Sequence, residues 1–513
     1  MSGLHTWGGL VFGWLLMAIF VAGTICVFNG PITAWMSGNP EREPGPLPGE
    51  QAAQAMTVAV QYLQQAAPDT HEWMIQLTKT RLNLQWHDAD DVEHTASLSP
   101  TTGALLAAED SLRDTTGGWN FVGFHYGLHA GLTGIVLVGF VTMAMLVALV
   151  SGIIVHKRIF KDFFTLRLFK GQRSWLDSHN IASVLTLPFL LMISYSGLVI
   201  FQGVWMPSSI AYHYGMPDGL NAELQLTSPY WEAQREAGQR RQALPPAPPL
   251  PAEMPLSALP ALAQQAWQRT GQPVEGMARL SDGRLWLGMV AADDEALVRA
   301  EHITFRVVGD PPQLRQESFY AFSEAEDTRG VISVLHEARF GGWTVSWLWF
   351  LCGVAGCVMI ATGLVLFTVK RQQRSANEFG VATPQVYRLI EALNVASVAG
   401  ICLASIAYLW ANRIIPVNMP GRADWEIRAF LLVWAATLLH ALLRPSQRAW
   451  AEQLGLTALL CLALPLLNFF TTGDWFGRYA MQGHWAAFGV EVVALTCGAL
   501  FILASVKVAR ARP

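Results

Sequence analysis

FVGFHYGLHAGLTGIVLVGFVTMAMLVALVSGIIVHKR, residues 121–158, is an apolar run bracketed by histidines: His125 and His129 near its start and His156 at its end, with Lys157 and Arg158 directly after. A helix needs about 20 apolar residues to cross a bilayer, and this run has more. Ionisable side chains at the ends of such a segment are costly to place and mark function by default. Seven further apolar runs flank it, giving eight candidate spans at about 7–29, 121–155, 181–206, 343–369, 388–411, 425–443, 451–471 and 485–507. The composition agrees: 52% hydrophobic and only 14% charged residues over 513 positions leave too little charge to cover a soluble protein of this size.

Charge placement orients the spans. Lys157, Arg158, Lys161, Arg167, Lys170 and Arg173 follow the second; Lys370, Arg371 and Arg374 follow the fourth. Arg444 and Arg448 follow the sixth, and Lys507, Arg510 and Arg512 close the chain. Every second junction is basic, which assigns these junctions and both termini to the cytoplasm. The first span has neither a basic leader nor a small-residue cleavage site and reads as a retained helix. All six cysteines lie inside apolar segments and read as small hydrophobes. Trp7, Trp343, Trp425 and Trp485, at segment ends, read as interfacial anchors.

The expected fold class is therefore an all-α polytopic membrane protein of about eight transmembrane helices, with two small α+β insertions on the outer side. The divisions fall at 1–29 (first span), 30–120 (first insertion), 121–206 (second and third spans with their basic loop), 207–340 (second insertion), 341–375 (fourth span) and 376–513 (four more helices). Each insertion follows a Pro-rich linker with a helix-like stretch, Ala52–Ala67 or Leu256–Thr270, and then strand-like runs. The runs are Trp73–Thr78 and Arg81–His87 in the first insertion, Arg284–Val290 and His302–Val308 in the second, so the chain repeats itself.

The spans repeat too. Gly23 lies 18 residues after His5, and Gly197 lies 18 after His179. Ser151-Gly152-Ile153 matches Thr362-Gly363-Leu364; 26 residues before Ser151 is His125, and 26 before Thr362 is His336. Matching Leu335-His336 to Leu128-His129 instead shifts the register by four residues, about one turn, so both candidates share a helix face. Six histidines thus sit at span ends: His5, His156 and His179 on one side, His125, His129 and His336 on the other. Histidines facing each other across a helical bundle suit axial ligation of haem iron. No C-x-x-C-H is present, so the haem would be b-type. The small residues around these histidines suit either a haem slot or tight helix packing.

On the outer side His336 pairs with His125 or His129; on the inner side His179 pairs with His5, with His156 as a third candidate. A single histidine at a helix end also simply hydrogen-bonds a carbonyl or meets a headgroup; six at repeated spacing favour ligation. For His440 and His484, outside the repeat, the structural role is favoured, and His71, His87, His94, His213 and His302 read as solvated. Glu491, Glu391 and Asn394 read as polar intrusions, lining a quinone or proton path or packing against a partner. No dinucleotide-binding, Walker or H-E-x-x-H motif occurs, so if electrons pass through, another protein or a membrane quinol supplies them.

The opening Leu4-His5-Thr6-Trp7-Gly8-Gly9-Leu10, the stretch from Ser151 to Arg167 and the stretch from Gly171 to Asn180 resemble the PepSY-associated transmembrane family over roughly residues 1–375. The latter two stretches are most similar to its branch of inner-membrane ferric-siderophore reductases and iron-regulated membrane proteins. The resemblance implies PepSY-like periplasmic insertions and a four-helix core holding b-haem, two by the histidine count. It also implies a haem-dependent ferric-chelate reductase in the bacterial inner membrane. The partners expected are a ferric siderophore or other ferric chelate, a cytoplasmic reductase or membrane quinol as donor, and the lipid bilayer, with no nucleic acid. His5, His156, His179, His336 and the His125/His129 pair match the family motif. Two other classes stay open: a PepSY-based binding or regulatory protein without redox activity, and an iron or siderophore transporter.

Overall fold

The computed structural model describes residues 2–38, 47, 49–68, 70, 72–78, 81–88, 90, 92–106, 113–155, 172–205, 256–271, 274–279, 285–289, 304–308, 311–318, 324–372 and 378–510. His156 with the basic loop 156–171, the linker 244–255, and His71, His213 and His302 lie outside the described residues.

The chain opens with α1 (Ser2–Cys26) and the short α2 (Asn29–Ser37), then α3 (Gly49–Ala66) and strands β1 (Trp73–Leu77), β2 (Leu82–His87) and β3 (Glu93–Leu98). Next come α4 (Trp119–Gly127), α5 (Gly131–Val155) and α6 (Gln172–Ile200). The second insertion supplies α7 (Leu259–Thr270) and strands β4 (Val274–Arg279), β5 (Leu285–Met289), β6 (Thr304–Val308) and β7 (Gln313–Ser318). It leads into α8 (Glu324–Glu337) and α9 (Gly342–Gln372). Beyond lie α10 (Thr383–Val395), a π-helical turn at Ala396–Gly400, α11 (Ile401–Ile414), α12 (Arg422–Leu443), α13 (Ser446–Thr472), α14 (Phe476–Gln482) and α15 (Trp485–Arg510). Among the described residues, eight helices are long and apolar enough to cross a membrane: α1, α5, α6, α9, the α10–α11 unit, α12, α13 and α15. Both lipid and protein accept apolar side chains, so these helices are hydrophobic nearly all round.

The segment 121–155, read from sequence as one span, is two helices. Leu128 and His129 adopt left-handed φ values of 51° and 53° and end α4 before α5 begins. Gly123, Gly127, Gly131 and Gly134 make this stretch a poor helix interior. A Cβ on Gly134 would stand 1.8 Å from the Gly127 carbonyl oxygen, so only glycine admits so tight a joint. The second half repeats the break: Ala338 has φ 55° and Gly341 and Gly342 have φ 66° and 57°, between α8 and α9.

The insertions do not form two separate sheets. Their strands join in one antiparallel sheet of order β3-β2-β1-β4-β5-β6-β7, and the central β1–β4 ladder, Trp73 opposite Arg279 and Ile75 opposite Met277, bridges the two halves. Folded alone, each insertion would leave β1 or β4 as an open edge; pairing removes both edges. The sheet's period-2 pattern buries Trp73, Ile75 and Leu77 on β1 and Leu82, Leu84 and Trp86 on β2 under Met56 and Leu63 of α3. Leu259, Leu262 and Ala266 of α7 join the same core.

Within the membrane part, α1 packs on α5 and α9, and α6 packs on α9. The repeat thus places α1 and α6, and α5 and α9, in equivalent positions. The α10–α11 helix is largely buried between this core and α12–α13. Trp343, Trp425 and Trp485 are exposed at helix starts, as anchors should be, whereas Trp7 lies beneath the Arg371 guanidinium, 4.8 Å from its ring centroid.

Candidate cofactor site: two facing histidine pairs

Four of the six histidines come together in two pairs. On the face away from the sheet, His5 of α1 meets His179 of α6, with ring centroids 6.5 Å apart and planes at 68°. On the sheet side, His125 of α4 meets His336 of α8 at 6.1 Å and 37°. His5 and the Gly23 that carries the other pair stand on one helix 18 residues apart, or ~27 Å at 1.5 Å per residue, close to the ~30 Å hydrocarbon thickness.

The repeat seen as residue spacing is a repeated contact. His5 Nδ1 donates to the Ala148 carbonyl (2.9 Å), His125 Nδ1 to Ile19 (2.9 Å) and His179 Nδ1 to Met359 (2.8 Å). His336 Nδ1 donates to Ser196 Oγ (2.8 Å), whose own proton goes to the Met192 carbonyl (2.6 Å). A carbonyl oxygen only accepts, so each Nδ1 carries the proton and each Nε2 carries the lone pair. Each acceptor carbonyl lies four residues before a glycine, and the ring rests on that glycine. A Cβ would fall 3.1 Å from the ring on Gly152 under His5, on Gly363 under His179 and on Gly197 under His336, and 2.6 Å on Gly23 under His125. The hydroxyl before the glycine joins in: Ser151 donates to Ala148 and Thr362 to Met359, which explains the matched Ser-Gly and Thr-Gly pairs.

Two imidazoles bound to one metal atom through Nε2, with bonds of about 2.1 Å and about 1.1 Å more to each ring centre, have centroids roughly 6.4 Å apart. The observed 6.5 and 6.1 Å match. A ligating histidine characteristically fixes its tautomer by donating its other ring nitrogen to a carbonyl, and the carbonyls here are built for that. The residues present therefore fit a bis-imidazole metal in a haem-like group at each pair. Burial lowers the pKa of His125 and takes that of His336 to about 3, which favours the neutral, ligating form of both.

His129, the alternative to His125, points elsewhere. Its Nε2 donates to Asn120 Oδ1 (2.9 Å), so it holds the opposite tautomer, and it sits in the left-handed joint after α4. His440 pairs with Glu452 (2.8 Å) and His94 with Asp88 (2.8 Å), structural roles in both cases. Asn394 ties Trp14 Nε1 (2.8 Å) to the Leu364 carbonyl (3.3 Å), and Glu491 accepts from Trp35 (3.1 Å) and Asn468 (2.7 Å). Both hold helices together.

Sequence reading missed the charges of the last four helices. Arg413, Arg422 and Glu426 are buried, with the Arg422–Glu426 ion pair fully so. The signal was present: charged residues abutting apolar runs. Drawing the runs as 388–411 and 425–443 pushed Arg413 and Arg422 into a supposed loop.

The glycine cradles make a graded prediction. Gly23→Ala drives a methyl into His125 and is expected to displace that ring, while alanine at 152, 197 or 363 asks for only a few tenths of an ångström. Valine at any of the four should displace the ring. Cofactor content per chain of the purified variants checks the order, with Gly23→Ala lowest among the alanines.

A multi-pass helical membrane protein with a shared extramembrane sheet and two facing histidine pairs is the class these features define. The chain belongs to the family of the PepSY-associated TM region, whose profile matches residues 2–370. It is also 26% identical over 400 residues to an uncharacterised protein of Pseudomonas aeruginosa, covering 74% of this chain and 91% of that protein. Helices α10 to α15 lie beyond the family match.

Proposed function

We propose that this chain is a b-haem oxidoreductase of the bacterial inner membrane. It passes electrons from the cytoplasmic face to a ferric siderophore, or another ferric chelate, on the periplasmic side where the sheet lies. The observation that carries this reading is a histidine ring resting on a glycine four times over, its Nδ1 held by a carbonyl in three cases and by the Ser196 hydroxyl in the fourth, which leaves two facing imidazole pairs near opposite faces. Bound at the pairs, haem supplies a one-electron ferric/ferrous couple. His5 and His179 would hold one group and His125 and His336 the other.

The protein's own part is positional. The carbonyls of Ile19, Ala148 and Met359 and the Ser196 hydroxyl fix the tautomer and aim of each ring. The surrounding apolar side chains exclude water and so set the local polarity on which a redox potential depends. The basic junctions between spans support placing the far face in the cytoplasm, where a reductase or membrane quinol donates. Each electron delivered turns one ferric ion into ferrous, and the lower charge weakens its hold on anionic oxygen ligands, which releases the iron.

Vesicles carrying the protein, with reductant enclosed and a ferric chelate plus a ferrous-specific dye outside, test the reading. Dye colour is expected to develop with wild-type protein and to fall to the level of empty vesicles with His336→Ala. Equal rates in the presence and absence of the protein would overturn it.

A further inference from the structure

The residues that launch α4 are gripped by helices outside the family match. Arg422 and Glu426, one turn apart on α12, form an ion pair with both side chains fully buried. Arg422 Nη1 also donates to the Asp114 carbonyl (2.6 Å), and its Nη2 donates to the Asn412 carbonyl. Glu426 accepts from Thr115 Oγ1 (2.5 Å) and Asn412 Nδ2 (2.7 Å). Tyr408 OH donates to the Gly117 carbonyl (2.8 Å), and Arg113 Nη1 donates to the Asn412 carbonyl (3.1 Å). Every bond joins segment 113–117 to α11 or α12 or braces the groups that make such a bond.

The grip continues into α4. Phe121 packs edge-on against Tyr408 and Phe430, and Phe124 against Phe430 and Trp434, with centroids 5.1–6.2 Å apart. From the other side, the backbone of Asn29 presses so close to Gly118 that a Cβ there would lie 2.3 Å from its carbonyl oxygen. His125 follows Phe124 directly and stands one turn from Phe121. Charges are placed inside a bundle of apolar helices only where fixed partners hold them. Here those partners are the backbone and hydroxyl groups leading into the helix that carries one histidine.

We propose that α11 and α12 are a positioning clamp for the sheet-side histidine pair. They fix the axial and rotational setting of α4 and thereby the distance and angle of His125 to His336. Tyr408 and Thr115 are positioning residues. The proposal rests on the reading that this pair ligates a metal group; the grip on α4 itself does not. Rotating α4 alters the angle between the two imidazole planes, and that angle shapes the paramagnetic resonance spectrum of a bis-imidazole ferric centre.

The test uses full-length protein with Tyr408→Phe and Thr115→Val, each of which deletes one hydroxyl and leaves the ion pair intact. Amide exchange is read over 113–127 and over α1 and α6, and the ferric resonance spectrum is recorded beside it, with His336→Ala identifying the sheet-side signal. Exchange over 113–127 is expected to rise about two- to tenfold with Tyr408→Phe, the range for one lost hydrogen bond, and further with Thr115→Val, which also takes away the acceptor of the Gly117 N–H. Exchange in α1 and α6 stays as in wild type. The sheet-side signal shifts, the far signal holds, and the cofactor count is unchanged.

Unaltered exchange, or raised exchange with both signals unmoved, would overturn the clamp. A wild-type protein with no ferric signal would overturn the ligation reading and with it the positioning role, while the exchange result would still decide the grip on α4.

Discussion

His336→Ala, purified in detergent, is expected to show half of the low-spin haem absorbance that two histidine pairs predict for the reduced wild-type protein. His125→Ala should do the same, His5→Ala and His179→Ala should remove the other half, and His129→Ala should change nothing. The argument is one of geometry. Each pair has one imidazole from each half of the repeat, so deleting either leaves one ligand and a void where the other ring stood. His129 is set apart because its ring lies against Phe124 rather than against a second histidine. Absorbance per chain across the five variants, each against wild type, checks the pattern, and an effect of His129→Ala as large as that of His125→Ala would contradict the pairing.

Glu426→Ala is expected to be the most damaging single change in the last four helices. It leaves the Arg422 guanidinium, fully buried, without its carboxylate, and removing one partner of a buried ion pair costs about 3–5 kcal/mol. Thr115 and Asn412 lose their acceptor at the same time. Arg422→Ala should cost a similar amount, since it strands Glu426 and the Asp114 carbonyl. The double variant should be destabilised by clearly less than the two single effects added, because the second deletion removes the charge that the first left unpaired. Unfolding midpoints of the four proteins in one detergent give the cycle; additive losses would mean the pair is not coupled.

The sequence made the architecture legible for a specific reason. Spans in lipid are limited to apolar runs of set length, so eight runs announced eight helices. The matched histidine-to-glycine spacings also showed, because a repeat in three dimensions leaves equal intervals in the chain. Three things did not show. The α4–α5 joint hid inside an unbroken apolar run, since nothing in hydropathy reports the left-handed turn at Leu128 and His129. The shared sheet was missed because the β1–β4 pairing joins residues some two hundred positions apart, and the polar edge strand β3 carries no alternating pattern. The choice between His125 and His129 turned on tautomer partners, Ile19 for one and Asn120 for the other, contacts that spacing does not encode.

The most direct test of the central claim is the dithionite-reduced minus oxidised visible spectrum of the full-length protein from haem-replete cells, with haem counted per chain as the pyridine complex. Two facing histidine pairs predict sharp low-spin b-type bands and about two haems per chain. A colourless protein would contradict the account and leave the histidine pairs as packing contacts between helices.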